Sequence, residues 1–276
     1  MRILLTILFL CSTSIAQMTL HTEDNLRGAK SMKAVITLGA VEMKLKGVDN
    51  SERAFRIFYD YSSSEKVPRL QYEVEGDEGY FRLSNDKGGD HFPFPGFGGN
   101  KDSLRLELAN SVPLSLDMKF GVCDASIDLG GMEISDANFS TGVSSFKLDF
   151  SSPNRISCDN LSIKSGVSSV VVDNLSNARA REVEVKGGVG SVKIDFGGRL
   201  KADCSVRVKT GLGSLDVSIP SSINTVIVTP ESFLTSVDVS GFYSQGGGVY
   251  RSSVKSGPEL KIYIDSAMGG VSIRSY

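Results

Sequence analysis

Hydrophobic and polar residues alternate in short runs along most of this chain, and from residue 121 onward the runs recur as one phrase. Each copy is a glycine followed by apolar residues at the fourth and sixth positions after it. Copies start at Gly121, Gly142, Gly166, Gly188 and Gly211, in steps of 21, 24, 22 and 23 residues. Because side chains in a β-strand alternate between two faces, each copy predicts a strand with one apolar face. In three copies a second apolar pair lies five and three positions before the glycine, as in Leu161 and Ile163, and predicts a preceding strand.

The near-constant period predicts coils stacked on one another, so that like positions form columns. The glycine, position 0 of each copy, is expected to open the corner between the two strands by adopting a dihedral that other residues find costly. The Val or Leu at position +1 is expected to plug that corner. Small hydroxyls at position +3 are expected to fit the tight stacking and to satisfy turn amides, at Ser145, Ser169, Ser191 and Ser214.

The N-terminal part of the chain departs from this period. Residues 17–32 are polar and predict a leader or a loosely held edge segment, and a first copy of the phrase follows within Lys33–Gly47. Residues 53–120 predict an antiparallel insertion that caps the first coil, with a hairpin turn over Gly76–Gly79. Residues 87–100 are rich in Gly and Pro and predict a loop. Its three aromatic residues, Phe92, Phe94 and Phe97, either fold back onto the body or form an exposed contact surface.

We therefore predict an all-β fold, a β-solenoid-like stack of coils of about 22 residues with an N-terminal antiparallel strand addition. Residues 33–276 are expected to form a single repetitive β domain. The runner-up architecture is a β-sandwich of meandering hairpins.

The first residues predict export. A positive start and a short apolar run precede Ser14 and Ala16, which supply small residues at −3 and −1 of a signal-peptide cleavage site. Residues 1–16 are thus expected to be removed, and no later stretch approaches the 18 apolar residues of a membrane-spanning helix. We expect the mature chain to be periplasmic or at the cell surface. It keeps three cysteines, Cys123, Cys158 and Cys204, an odd number that favours buried thiols over a disulfide framework.

Net charge argues against a nucleic-acid partner. The chain has 30 basic and 32 acidic residues, a formal charge of −2, and no basic excess that could serve as a nucleic-acid footprint. No cofactor is expected, because the glycine-rich stretches at Gly187–Ser191 and Gly246–Gly248 introduce no helix that could bind a phosphate.

The strongest chemical feature is an acidic column at position +7, formed by Asp128, Asp149, Asp173 and Asp195. In stacked coils these carboxylates would approach one another at about 4.8 Å. Calcium could bridge them, or a glycoside-cleaving enzyme could use two of them. The third reading, which we favour, is that they point outward into solvent, with Lys147 and Lys193 supplying opposite charge.

Catalysis has little support in the sequence. The only histidines are His21 and His91, one in the leader and one in the aromatic loop, so a nucleophile–histidine pair would depend on a loop residue. The three thiols are too scattered for a zinc site. A carbohydrate-active site would need a basic residue near the acids, and Arg179 and Arg181 are the nearby candidates.

The phrase resembles that of the bacterial toast-rack and putative-adhesin domains, which are exported, β-solenoid-like and of unknown function. The resemblance covers about residues 30–276, and its matching segments are Gly142–Leu148, Gly166–Val172, Gly188–Ile194, Gly211–Val217 and the similar Leu260–Ile273. It implies no catalytic residues. Some relatives adjoin transmembrane segments in envelope-stress sensing, and no such segment follows the signal peptide here.

These observations favour a non-enzymatic envelope or surface module for adhesion, scaffolding or partner binding. Ladders of Ser, Lys and Asp would offer a long flat face to an envelope protein or a polysaccharide. The seven candidate contact residues are the four aspartates of the +7 column and the three phenylalanines of the loop. The alternative is a carbohydrate-active β-helix enzyme that uses acids of the Asp column.

Overall fold

The computed structural model describes residues 18–61, 68–85, 102–229 and 235–276. The predicted signal peptide and the aromatic loop with Phe92, Phe94 and Phe97 lie outside these ranges. Within them the chain forms sixteen strands in one sheet and one short 3-10 helix, Leu175–Ala178. The strands are β1 (Met18–Asn25), β2 (Ser31–Gly47), β3 (Arg53–Tyr61), β4 (Arg69–Glu75), β5 (Glu78–Ser84), β6 (Asp102–Leu108), β7 (Leu114–Asp128), β8 (Ile134–Asp149), β9 (Cys158–Asp173), β10 (Ala180–Asp195), β11 (Cys204–Ile219), β12 (Asn224–Val228), β13 (Thr235–Ser240), β14 (Tyr243–Gly246), β15 (Val249–Arg251) and β16 (Glu259–Ser275).

Seven long parallel strands form the body, in the order β2-β7-β8-β9-β10-β11-β16. Each long strand holds both strands of one predicted copy, and we call the residues before the corner glycine the first arm and those after it the second arm. The copies stack in register: Val192 lies beside Val170, and Gly190 beside both Ser168 and Gly213. The predicted β-solenoid-like fold is confirmed.

Alternation places the apolar columns inside, as predicted. Leu161, Ile163, Val170 and Val172 are all buried, and so are their counterparts in the other long strands. Phe150, Leu175 and Phe196, which follow the second arms, close the third side of this interior. One shared core therefore runs the length of the stack.

Asparagines fasten the links between coils. Asn154 is 1 % exposed; its amide group bonds both backbone atoms of Ile134 at 2.8 Å and the carbonyl of Ala178 at 3.2 Å. Asn177, in the next link, donates to the carbonyl of Phe150. Buried backbone groups without a strand partner need such side-chain bonds, so these residues join successive coils where no strand pairing does.

Pairs of short strands replace a full coil at each end of the body. At the N-terminal end β5 pairs in parallel with the first arm of β2, and β6 with its second arm. At the C-terminal end β12 and β13 do the same for the two arms of β16. Antiparallel strands then cover most of the remaining edges: β4 pairs with β5, β3 with β6, β1 with β3, β15 with β12 and β14 with β15.

The expectation for residues 53–120 therefore needs correction. The hairpin turn lies at Gly76 and Asp77, between β4 and β5, as predicted. However, β5 and β6 run parallel to β2, and 114–120 is the first arm of β7, an ordinary coil. Each arm of β2 needs a hydrogen-bonding neighbour on the side away from β7, and two separate short strands meet that need. Residues 18–25 of the expected leader form the outermost strand, β1.

The corner glycines are required for a reason other than the expected one. None of Gly142, Gly166, Gly188 and Gly211 has a positive φ. A Cβ on Gly188 would instead lie 2.4 Å from the carbonyl oxygen of Gly166, and the other three corner glycines show the same clash at 2.4–2.6 Å. Successive coils thus approach so closely at the corner that no side chain fits between them.

Candidate functional site

The four aspartates of the +7 column stand at the ends of consecutive second arms. Asp128 pairs in register with Asp149, and Asp149 with Asp173. Asp195 ends the next strand. All four side chains are half-buried rather than fully solvated. The structure therefore places the predicted acids in one row, next to the links that follow the strands.

Each of these carboxylates has a partner of its own. Asp128 accepts hydrogen bonds from the backbone N–H of Gly130 and from the Ser151 hydroxyl, at 2.8 and 2.7 Å. Asp195 accepts from the N–H of Gly197 at 2.9 Å and from the Tyr276 hydroxyl at 3.0 Å. An Asp that accepts from the amide two residues on forms an Asx-turn, so these two acids shape the chain reversal after the strand.

The two central acids bind neighbouring coils. Asp149 accepts from the Asn174 amide at 2.9 Å, and Asp173 lies 3.1 Å from the ammonium group of Lys147. This hydrogen bond and the charge of Asp173 raise the pKa of Lys147. Lys147 thus supplies the opposite charge that the sequence predicted for it.

A shallow pocket of about 310 Å³ lies at the C-terminal end of this row. Its lining is Asp173, Lys193, Asp195, Ser218, Arg274 and Tyr276. Arg274 donates from Nε to the Ser218 hydroxyl at 3.0 Å. Lys193 therefore faces a mixed group of acids and cations. In the described ranges no three His, Cys, Asp or Glu side chains are grouped as a metal ion would require.

The other residues considered for catalysis lie apart from the acids. His21 stacks on Phe58 with ring centroids 4.1 Å apart on the N-terminal strands. The Arg179 guanidinium donates to the backbone carbonyls of Asn154 and Arg155, and Arg181 forms an ion pair with Asp159. The two arginines do not converge on the Asp column. Cys123, Cys158 and Cys204 are buried, and none forms a disulfide with another.

The residues at position +1 do not plug the corner, contrary to expectation. Val167, Val189, Leu212 and Met268 are 46–54 % exposed. The corner is filled instead from positions −1 and +2, by Phe120 and Cys123 in β7 and by Thr141 with Ser144 in β8, whose hydroxyls are 2.9 Å apart. The corner interior is therefore narrow, which leaves the +1 side chain only the outside.

Together with the partly exposed Val143 of β8, these four side chains form a continuous row across five adjacent strands. Register pairs each with the next, and we call the row the corner ridge: Val143, Val167, Val189, Leu212 and Met268. Four strand spacings of about 4.8 Å give it a length of about 19 Å. Glycines precede four of its members, and serines or glycines follow each, so the aliphatic groups project above small neighbours.

The corner ridge is the functional candidate that sequence reasoning missed. Single exposed aliphatic residues are common on protein surfaces, but an in-register row of them is an apolar patch with a defined shape. The recurring Val or Leu after each glycine was visible in the sequence. The direction in which these side chains point could not be read from the sequence, because the alternation of side chains between the two faces breaks at the corner.

An all-β solenoid module with a stack of near-identical coils is the class of protein that this structure defines. The chain belongs to the family described as the N-terminal domain of toast_rack, DUF2154, whose family model matches residues 12–173 and 154–218. This confirms the resemblance noted in the sequence. No curated protein matches the chain. No helix of the described ranges is both long and apolar enough to cross a membrane.

Solved structures that match this chain bear adhesion and lipid-binding names. A putative cell adhesion protein from Clostridium sporogenes is 21 % identical, with a TM-score of 0.50 over 95 % of this chain and 100 % of that one. A putative adhesin from Bacteroides fragilis is 9 % identical, with a TM-score of 0.30 over 94 % and 98 %. A putative lipid binding protein from Parabacteroides distasonis is 12 % identical, with a TM-score of 0.35 over 92 % and 96 %. At such identities the first of these likenesses concerns the fold alone.

Proposed function

We propose that this chain is a non-enzymatic module of the cell envelope or cell surface that binds a protein partner through the corner ridge. The observation that carries the proposal is the in-register row of aliphatic side chains, four of which are about half exposed. Burying such a row on a partner would remove apolar surface from water, the main driving force of protein association. The secretory pattern of residues 1–16 supports the location.

The surroundings of the ridge favour a protein over a polysaccharide. Sugars are bound through hydrogen-bonding side chains and flat aromatic faces, whereas the ridge offers Val, Leu and Met between glycines and small hydroxyls. A strip of small and aliphatic side chains matches the apolar stripe of a strand or an amphipathic helix. The Asp column and the aromatic loop with Phe92, Phe94 and Phe97 stay predictions as further contact surfaces.

The arrangement of the acids supports a role without catalysis. Asp128, Asp149, Asp173 and Asp195 each hold a turn or a neighbouring coil through the bonds described above. A glycosidase needs two carboxyl groups that face one another across a substrate. Here the acids stand in a row, and their oxygens are directed at their own chain.

A ridge variant tests the proposal. Val167→Ser, Val189→Ser and Leu212→Ser would be combined, and binding of the mature protein to envelope fractions would be compared with that of wild type. We expect at least a tenfold loss of binding to the protein-containing fraction, equivalent to about 1.4 kcal/mol. Ser169→Ala, Ser191→Ala and Ser214→Ala, in the column two residues further on, are the matched control and should bind as wild type does.

Folding controls keep the result interpretable. Leu212→Ser alone should leave the melting temperature nearly unchanged, because its side chain is about half exposed already, whereas Leu215→Ser, which is 1 % exposed, should lower it strongly. Equal binding by the folded ridge variant and wild type would refute the role of the ridge. Protease treatment of the fraction separates a protein partner from a polysaccharide, whose binding would survive.

The alternative, a carbohydrate-active enzyme, draws on the pocket beside Asp173 and Asp195 with its two cations. It predicts cleavage of an envelope polysaccharide that is lost in the Asp173→Asn, Asp195→Asn double variant. Our proposal predicts no cleavage by either protein. The same pair of proteins, melted with and without calcium, tests whether the Asp column binds that ion.

A further inference from the structure

The second-arm layer of the molecule ends in two edge strands with a neighbour on one side only. Its strands follow the order β1-β3-β6, then the seven second arms, then β13. Among the described strands β13 pairs only with β16, and β1 only with β3. Each edge therefore offers a row of backbone N–H and C=O groups for another strand. The first-arm layer ends on each side in the outer strand of an antiparallel hairpin, β4 of β4–β5 and β14 of β14–β15, and these two strands also have one neighbour each among the described strands.

The two edges carry few of the features that normally prevent pairing. Thr235–Ser240 and Met18–Asn25 contain no Pro, Lys or Gly; β13 pairs with β16 without a bulge, and the one register shift of β1 lies at its end, between Asp24 and Asn25. On β1 the acid at position 23 is neutralised by Arg53 and Arg56, at 2.9 and 2.8 Å. Exposed edges of this kind are sites where natural proteins join strands.

The two edges run in the same direction. β6 is parallel to β2, β3 is antiparallel to β6, and β1 is antiparallel to β3, so β1 points the same way as the seven long strands. β13 is parallel to β16 and points that way too. A β13 edge placed against a β1 edge of another copy would thus form a parallel pair and continue the sheet.

The side-chain columns also agree across that junction. Through β3 and β6, Leu20 of β1 lies in the +4 column and Thr22 in the +6 column. Val237 and Val239 of β13 occupy the same two columns through β16. Leu20, Val237 and Val239 all pack against the core. In this register Leu20 would meet Val237 and Thr22 would meet Val239 on the inner face, and Asp238 would lie beside His21 on the outer face.

We propose that the chain assembles head to tail, with β13 of one copy pairing with β1 of the next in this register. Such a contact is heterologous, since it joins two different surfaces, and it therefore repeats rather than closing on a dimer. The corner ridge and the Asp column would continue from copy to copy. The inference stands on the two edges and not on the ridge, so either proposal can fail without the other.

The number of strands at each end of the molecule also constrains how two copies would fit together. At the C-terminal end the first-arm layer extends three strands beyond β16, and the second-arm layer extends one strand beyond it. At the N-terminal end the first-arm layer extends two strands beyond β2, and the second-arm layer extends three. The two ends are stepped in opposite senses, so the longer layer of one faces the shorter layer of the other. Across the junction the first-arm layers of the two copies would contribute five strands and the second-arm layers four. One first-arm strand therefore has no place in line with the second-arm layer, so the four-residue β14 has to lie over the neighbouring copy. Its Tyr243, now 64 % exposed, should then be covered.

Paired cysteine variants test the junction in the mature protein. Asp238→Cys and His21→Cys would be made separately, mixed and oxidised; the native thiols are buried. We expect disulfide-linked heterodimers in the mixture, and a ladder of multimers when one chain carries both changes. Homodimers from Asp238→Cys or His21→Cys alone would show like edges pairing and would overturn the proposal. So would a wild-type protein that sediments as a monomer at every concentration.

Proline variants separate assembly from folding. Successive residues of a strand direct their N–H groups to opposite edges of that strand. One of the two variants Val237→Pro and Asp238→Pro therefore removes a hydrogen bond to β16, and the other removes an N–H group on the free edge. We expect the variant that loses the free-edge N–H to keep the wild-type melting curve and to lose the higher assemblies. If both variants assemble as wild type does, β13 is not the contact.

Discussion

At the scale of single residues, polar side chains in this molecule mainly serve the backbone of the links. Asp128 and Asp195 form Asx-turns, and Asn154 and Asn177 bond the backbone of neighbouring coils. In a solenoid the strands satisfy their own backbone groups, whereas the links do not, and a buried group without a partner costs about 1–3 kcal/mol. This is why residues that look like a catalytic column can be structural.

The buried thiols predict a specific dependence of stability on pH. Burial raises the pKa of both Cys158 and Cys204 to about 12, from the ordinary value of 9.0. The folded state keeps these protons while the unfolded chain loses them above pH 9, so stability is full below pH 9 and falls as the pH rises toward 12. At pH 10 the loss should be about 1.4 kcal/mol per thiol.

Urea unfolding at pH 7 and pH 10 measures this effect. Lysines and tyrosines also titrate in this range, so the test is the difference between wild type and the double variant Cys158→Ala, Cys204→Ala. We expect the variant to be less stable at pH 7 but to lose less stability between the two values. An identical loss in the two proteins would contradict the assignment.

At the scale of the strand, the corner determines how one chain segment forms two arms. The glycine column lets neighbouring backbones approach within van der Waals distance, and the residues at −1 and +2, such as Thr141 and Ser144 in β8, fill the corner interior. Three of the later copies also need glycine at +2: Gly190, Gly213 and Gly269 have φ of 135°, 148° and 136°. The side chain at +1 is left outside, so the ridge is a geometric consequence of a tight corner.

Gly188→Ala tests the corner. Its methyl group would meet the carbonyl oxygen of Gly166 at 2.4 Å, and this is a backbone atom of a paired strand rather than the end of a flexible side chain. We expect a loss of roughly 1–3 kcal/mol in the free energy of unfolding, as for overpacked sites elsewhere. Gly270→Ala is the matched control, because a Cβ there has no atom within 4 Å and no positive φ is involved. Its effect should stay within about 0.5 kcal/mol.

At the scale of the whole molecule, stability should vary along the stack. Each of the five inner long strands pairs only with the long strand on either side of it, so an inner coil is supported from both sides and an edge strand from one. Both ends are built from short strands, of three to nine residues, outside the seven long ones. The C-terminal end, with β13, β14 and β15, has the shortest of them.

Hydrogen exchange followed strand by strand checks this prediction. Amides of β8, β9 and β10 should exchange most slowly, and those of β13, β14 and β15 most quickly. Under conditions that favour assembly, β1 and β13 should gain protection together if copies pair as proposed. Uniform protection from end to end would mean that the stack unfolds as one unit and not coil by coil.

Much of this architecture could be predicted from the sequence because the coils repeat. A period of about 22 residues with alternating apolar positions leaves few ways to bury them, and the stacked register, the buried ladders at −5, −3, +4 and +6 and the row of acids all follow from it. The hairpin at Gly76 was also readable, since it is a local pattern.

What the sequence could not decide lies where alternation stops or where strands distant in the chain meet. The side chain of Leu212 points outward although it occupies an apolar column, because the corner breaks the alternation of faces and only packed neighbours determine which residue fills the inside. The parallel pairing of β5 and β6 with β2, the partners of each aspartate and the two edges of the second-arm layer likewise depend on contacts between segments far apart. The repeat by itself determined the coil and its core, since both follow from side-chain periodicity. The corner, the ends and the exposed surfaces were decided only by the tertiary structure, because there the closeness of other backbones selects among conformations that the local sequence leaves equal.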